Sequence, residues 1–212
     1  MNDKQIILIG GGGHCKACID VIETTGEYKI AGILDLPENV GKEILGYKIT
    51  GTDDDIPQLV KKNNLFLITL GQVTTSGNRI RMFETVKKIG GELATVISKT
   101  AYVSKHSKVG EGTIIMHQAF VNADAVIGKN CIINNKAQIE HDAVIGDHTH
   151  ISTAATVNGE CKIGSNCMIG SKAVIKHGIT ITDNVLVGAG AVVVKDMTEP
   201  GVYAGVPARK IK

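Results

Sequence analysis

From Ile97 onward a β-branched aliphatic residue recurs at every sixth position: Ile97, Val103, Val109, Ile115, Val121, Ile127, Ile133, Ile139, Ile145, Ile151, Val157, Ile163, Ile169, Ile175, Ile181, Val187 and Val193. This period belongs neither to an amphipathic helix nor to a half-buried strand. A fixed short repeat sustained this long predicts a parallel β-helix. Three hexads close one triangular coil, and the anchors stack coil on coil into a dry core. β-branched residues suit stacked strands. Gly often follows the anchor, as at Gly110, Gly128, Gly146, Gly164, Gly170 and Gly188, and the fifth hexad position is small, as at Ala119, Ala125, Cys131, Ala137, Cys161 and Cys167. Gly and Asn suit the tight corners.

Before Ile97 the pattern changes. "KQIILIGGGGHCKACIDVIE" reads as a buried strand, a glycine turn and a helix. "YKIAGILD" is a second strand ending in Asp35, "NLFLITLG" a third, and "RIRMFETVKKIGG" a helix stopped by Gly90 and Gly91. Alternating strands and helices predict a small, Rossmann-like parallel α/β domain. The chain therefore divides into an α/β domain over 1–95 and a β-helix with a C-terminal tail over 96–212.

Composition adds constraints. Twenty-five Gly, three Phe, four Tyr and no Trp require a core of Ile, Val and Ala. A net charge of +2 points to neither nucleic acid nor a membrane surface. No apolar run is long enough to span a bilayer, so a soluble, cytoplasmic chain is expected. Five Cys, an odd number, suit a reducing compartment. Cys131, Cys161 and Cys167 fill the small-residue slot as hydrophobes. Cys15-x-x-Cys18 is read as packing in the first helical turns rather than as a redox pair.

Candidate chemistry follows from placement. Gly10, Gly12 and Gly13 let backbone N–H groups approach a phosphate at a helix N-terminus. Asp35 lies where a ribose-binding acid belongs. The third glycine of a dinucleotide fingerprint falls instead on Cys15, which favours a nucleotide over a dinucleotide. In the second half, "IEHDAVIGDHTHIS" holds His141, His148 and His150 within ten residues. His141 falls at a corner. His150 directly precedes an inward anchor, Ile151, and so faces outward from a flat side. Nine residues are half a coil, and a six-residue side is at most about 20 Å long at strand rise. The two histidines thus lie across the prism and cannot share a site within one chain, which predicts a trimer with sites completed between subunits. His106, His117, His148 and His177 fall at the third or fourth hexad position and are read as surface residues.

The order of a small α/β domain with "GGGGH", then "LITLG…NRIR", then the hexads with "IEHD", then "GVYAGVPARKIK" resembles the sugar acyltransferases of bacterial surface-glycan pathways. That group includes bacillosamine-type UDP-amino-sugar N-acetyltransferases, perosamine N-acetyltransferases and sialic acid O-acetyltransferases. The resemblance, not the period, implies a left-handed coil, against the right-handed rule for parallel crossovers. It implies an acetyl-CoA-dependent N-acetyltransferase acting on a nucleotide-linked 4-amino sugar, with His141 as base and Asp142 beside it. Either Asp142 or Glu140 can orient the ring, and the family match favours Asp142. It implies His150 and Gly159 on the acetyl-CoA side and Asn134 near the sugar. Gly10, Gly12, Gly13, His14 and Asp35 are implied to hold the nucleotide sugar. Arg209 and Lys210 of the basic tail are candidates for the CoA phosphates, against a solvated tail. Leu36 stands where many relatives have a second Asp, and Ser98 and Lys99 where many have His-Pro, so the nucleotide stays open. Gamma-class carbonic anhydrases resemble the scaffold, but no two histidines here show their His-x-x-x-x-His spacing, so no metal is expected. O-acetylation of a sialic acid and a non-catalytic solenoid are the competing readings.

Overall fold

The computed structural model describes residues 4–62, 64–72 and 76–212. The chain divides into two compact units at Val96/Ile97.

The first unit is a six-stranded sheet. Its elements are β1 (Lys4–Ile9), α1 (Gly13–Thr25), β2 (Tyr28–Leu34), β3 (Glu43–Ile44), β4 (Tyr47–Gly51), α2 (Ile56–Lys61), β5 (Leu65–Ile68), α3 (Gly77–Lys88) and β6 (Glu92–Leu93). The strand order is β3-β4-β2-β1-β5-β6. All neighbours are parallel except β3 and β4, which form an antiparallel hairpin. β1 is central, and its Ile6, Ile7, Leu8 and Ile9 are all buried, as a strand covered on both faces requires. Three strands and two helices match the sequence expectation. The β3–β4 hairpin and α2 are additions, whose elements are too short to carry a period of their own. Gly10 takes φ +107°, and a Cβ there would meet Leu70 at 2.4 Å. Only glycine turns the chain out of β1 at that point.

The second unit is the β-helix. Two-residue strands recur every six residues and stack parallel into three faces. The register Ile114↔Ile132↔His150↔Met168 advances one coil per eighteen residues on the first face. Phe120↔Gln138↔Thr156↔Val174 does so on the second, and Val126↔Val144↔Lys162↔Thr180 on the third. The anchors from Ile115 to Val193 form one buried cluster, with Cys131, Cys161 and Cys167 among them at 1% exposure or less. The thiols are therefore core residues, as the hexad frame requires. The first anchors are the exception. Ile97 is exposed, and Val103 and Val109 are only partly buried, because the first coil stacks on one neighbour only.

The corners follow a rule the glycines alone do not reveal. The position three after each anchor from Val109 to Val187 takes a left-handed φ near +60°, and its occupants include Asp124, Asn130, Lys136, Asp142, His148, Glu160 and Asn166. The glycines directly after the anchors do not. A Cβ on Gly146 would lie 2.6 Å from the backbone of Gly164 and Ser165 in the next coil. Those glycines are needed for close stacking of coils, not for the turn itself.

The chain ends in a hairpin. Gly201–Ala204 runs parallel to Val185–Val187, and Arg209–Lys210 returns antiparallel to it. Among the described residues no helix is long and apolar enough to cross a membrane.

Candidate active site

His141 stands at the corner between the second face (Gln138–Ile139) and the third (Val144–Ile145). Its carbonyl accepts the Glu160 N–H at 3.0 Å, and its neighbour Asp142 donates its N–H to the Ala123 carbonyl at 3.2 Å. The ladder thus fixes this corner from both sides. The left-handed φ of Asp142, 61°, turns its carboxylate back on the preceding ring. His141 Nδ1 lies 2.8 Å from Asp142 Oδ2. A carboxylate only accepts, so Nδ1 carries a proton, and in the neutral ring Nε2 is left with the free lone pair. The His141 pKa is raised above its ordinary value, first by the bond to Asp142; desolvation opposes this, and the charges of Asp142, Glu140 and Glu160 add to it. Glu140 is held elsewhere, accepting from Asn122 Nδ2 at 2.6 Å. The geometry therefore pairs the ring with Asp142, not Glu140. One coil further on, Gly159 lies against the His141 ring. Two coils further, the His177 ring stands 6.3 Å away, and Glu160 Oε2 lies 3.6 Å from His177 Nε2.

His150 sits on the first face. Ile151 points into the core, so strand alternation places His150 on the outer surface. It is nevertheless only 6% exposed, in the ladder between Ile132 and Met168. Asn134 Nδ2 lies 3.1 Å from His150 Nε2. The sequence reading put Asn134 with the sugar and His150 with acetyl-CoA, yet the structure joins these two side chains. The first face is opposite the corner between the second and third faces, so His141 and His150 lie on opposite sides of the prism.

Two other histidines depart from expectation. His117 and His148 are half-buried rather than simply exposed. His117 Nδ1 bonds Ser98 Oγ at 2.7 Å, and His148 Nδ1 bonds Asn130 Nδ2 at 3.0 Å. Corner side chains stack on those of the neighbouring coil, which covers them. His106 and His177 are exposed, as expected.

In the first unit the glycine turn opens α1, with Gly12 as its N-cap and no side-chain cap. A Cβ on Gly12 or Gly13 would meet nothing within 4 Å, so this helix start stands open to a ligand. The Gly11 N–H does not: it donates to Asp35 Oδ2 at 2.8 Å, while Leu36 N–H donates to Asp35 Oδ1 at 2.6 Å. Asp35 thereby ties the turn after β1 to the end of β2. Gly10 and Asp35 border a cavity of about 350 Å³ together with Thr52, Asp53, Asn78 and Arg81, within the size range of small-molecule sites. Arg81 lies 3.6 Å from Asp53. These last four residues were missed by the sequence reading. Thr52 and Asp53 follow the short strand β4, and Asn78 and Arg81 open α3 within the quoted "NRIR", where no site role was assigned to them. A second cavity of about 340 Å³, bordered by Gln5, Thr50 and Lys62 among others, holds none of the sequence-predicted residues.

His14 is placed differently from the turn it follows. Its Nε2 is buried without a hydrogen-bond partner, and burial, with the Arg79 guanidinium nearby, pushes its pKa down to about 4. It is neutral near pH 7 and adds no charge to a phosphate site. Cys15 and Cys18 are buried free thiols. Burial pushes Cys15 up to about 11 and Cys18 well above the usual range, which suits packing and not thiolate chemistry. In the tail, Lys210 Nζ pairs with Glu199 at 2.8 Å, and Arg209 is exposed. Among the described residues no group of three or more His, Cys, Asp or Glu side chains is placed to hold a metal ion.

The PglD N-terminal domain model matches residues 5–86, and the bacterial transferase hexapeptide model matches 106–139, 124–159 and 160–195. A histidine-to-asparagine variant of perosamine N-acetyltransferase from Caulobacter crescentus, solved with CoA and GDP-perosamine, is 30% identical over 98% of this chain and 97% of its own, at a TM-score of 0.91. The chain belongs to the sugar N-acetyltransferases of the hexapeptide-repeat superfamily. The acetyltransferase domain of PglB from Neisseria gonorrhoeae, solved with acetyl coenzyme A, is 28% identical over 99% of this chain and 100% of its own, at a TM-score of 0.90. WeeI from Acinetobacter baumannii shares the fold at 22% identity, covering 97% of this chain and 99% of its own, at a TM-score of 0.79. No curated protein sequence matches. Family membership makes the chain an acyltransferase and gives its β-helix the left-handed coil that the resemblance implied; a non-catalytic solenoid is set aside.

Proposed function

We propose that the chain transfers the acetyl group of acetyl-CoA to the amino group of a nucleotide-linked amino sugar, with His141 as general base. The observation that carries this reading is the His141–Asp142 pair at an exposed corner, in which Asp142 takes Nδ1 and leaves Nε2 to act as the base when the ring is neutral. The similar enzymes solved with CoA and GDP-perosamine support the substrate class.

A sugar ammonium must be neutral before it attacks a thioester, and the amine sheds a further proton as the tetrahedral intermediate forms. Nε2 takes that proton, and Asp142 stabilises the imidazolium produced. The proton is then available to the departing CoA thiolate. In the first unit, the open start of α1 at Gly12 and Gly13 suits a diphosphate. The cavity beside Gly10 and Asp35 suits the nucleoside. His14 acts there as a neutral packing group. Asn134 and His150, joined on the first face, serve acetyl-CoA together. Since His141 lies on the opposite side of the prism, its site takes His150 from a neighbouring chain, and a trimer closes three equivalent sites. Arg209 adds an exposed cation for a CoA phosphate, whereas Lys210 must first leave Glu199. A cytoplasmic location agrees with five free thiols.

The test is thiol release from acetyl-CoA with UDP-, GDP- and dTDP-linked 4-amino sugars as acceptors, against free and CMP-linked sialic acids. Turnover with a nucleotide amino sugar is expected. Turnover restricted to the sialic acids makes the enzyme an O-acetyltransferase and overturns the proposal.

A further inference from the structure

Gly159 stands one coil above His141, since 159 minus 141 is the eighteen residues of one turn. A Cβ built on Gly159 would lie 2.7 Å from His141 Cε1, 2.8 Å from Nε2 and 3.2 Å from Nδ1. Its nearest encounters are all with that one ring. This sets Gly159 apart from Gly110, Gly146 and Gly170, where the Cβ would strike the backbone of the next coil at 2.6 Å. Nor does the turn require glycine, because the left-handed position of this corner is Glu160, at φ 61°. Gly159 is buried, and its carbonyl accepts the Gly178 N–H at 2.9 Å, which ties its backbone to the next coil. What the missing side chain leaves is a seat for an imidazole.

We infer that Gly159 is a positioning residue that acts through His141. This rests on the reading of His141 as the base. With the ring seated on Gly159, Nδ1 reaches Asp142 at 2.8 Å and the Nε2 edge is held in one place. A methyl group at 159 fills the space of Cε1 and Nε2. The ring must swing away, and with it go either the Asp142 bond or the direction of Nε2. The other titratable groups facing the ring are Glu140, Glu160 and His177. None of them occupies the seat.

The experiment uses the full chain with Gly159→Ala, alone and combined with His141→Ala. A displacement of about 1 Å can cost roughly 10²-fold in rate, so kcat should fall by about 10–10²-fold with the KM for acetyl-CoA unchanged. In the His141→Ala background the same change should have no further effect, because the ring that the methyl displaces is gone. An NMR titration of the His141 ring gives a readout independent of turnover: Gly159→Ala should lower its pKa toward the ordinary value as the Asp142 bond is lost. An equal loss of activity in both backgrounds overturns the inference, and so does a raised acetyl-CoA KM with kcat unchanged, since both assign Gly159 to the CoA site. An unmoved His141 titration overturns it as well. If Gly159→Ala is unstable but the double variant is not, the steric contact is confirmed by stability. Should His141→Ala keep full activity, the general-base reading fails, while the NMR result still decides whether the seat exists.

Discussion

Asp35 offers a test of whether the first unit recognises the acceptor by preforming its phosphate turn. Its two carboxylate oxygens accept two backbone donors, Gly11 N–H and Leu36 N–H. Asp35→Asn keeps the size but offers one acceptor and one donor group, so only one of the two N–H groups can be satisfied. A hydrogen bond to a charged group contributes about 1.5–3 kcal/mol. Much of that loss falls on a turn that is partly exposed and free to rearrange. The bound conformation must then be restored by the ligand. At about 1.4 kcal/mol per tenfold, the acceptor KM should rise about 10–10²-fold. The kcat at saturating acceptor and the acetyl-CoA KM should stay the same, because neither His141 nor His150 belongs to this unit. Initial rates across both substrates, with a thermal melt as control for folding, measure all of these. An acceptor KM within twofold of the parent refutes the reasoning, and an equal rise in both KM values assigns Asp35 a purely structural part.

His141→Ala should lower kcat by about 10²–10⁴-fold, the usual worth of a positioned base, with acetyl-CoA binding retained by calorimetry; near-normal kcat across pH 6 to 9 would rule the assignment out. Asp142→Asn should shift the acid limb of the kcat profile to lower pH. The sign follows from the bond: Asp142 stabilises the imidazolium and raises the His141 pKa, the base works only when neutral, and removing the carboxylate lets it become neutral at lower pH. A limb that stays in place, or moves upward, contradicts the pairing. His141→Ala and His150→Ala chains, each weak alone at low acetyl-CoA, should regain activity when unfolded and reassembled together in equal amounts, because in the proposed trimer about a quarter of all sites would then receive both histidines, each from a different chain. No recovery would mean that each chain carries a complete site.

The solenoid was legible because its constraint is local and repeated. A β-branched residue every six positions has one physical use at this length, and the core from Ile115 to Val193 follows it residue by residue. Handedness was not legible, since the same period serves a coil of either hand. The α/β unit was legible at β1, β2 and β5, whose apolar runs are long enough to read. The β3–β4 hairpin was not, because a two-residue and a five-residue strand hold too little pattern. With it went Thr52 and Asp53, which the hairpin delivers to the cavity. His141 and Asp142 were found through a motif, but the reason they work together is a backbone angle. The left-handed φ at Asp142 belongs to a position defined by its distance from the anchor, not by its residue type.

A structural repeat can in this way hold the proposed base and its carboxylate side by side. At the corners from Val109 to Val187 the same three places recur: one after the anchor, one beyond it, and one in the left-handed conformation. On the corner between the second and third faces, the middle place is taken in successive coils by Ala123, His141, Gly159 and His177. The left-handed place holds Asp124, Asp142, Glu160 and Gly178. In these four coils an acidic residue therefore stands beside the middle residue three times. Of these four, His141 alone has both a basic side chain with a bonded carboxylate and an open seat above it. His177 has its carboxylate, Glu160, on the coil below at 3.6 Å, and it is followed in its own coil by Gly178, which has no side chain to orient it. Ala123 has no base at all. The chemistry is thus specified by which residues coincide at one coil, while the geometry that brings them together is common to all the coils.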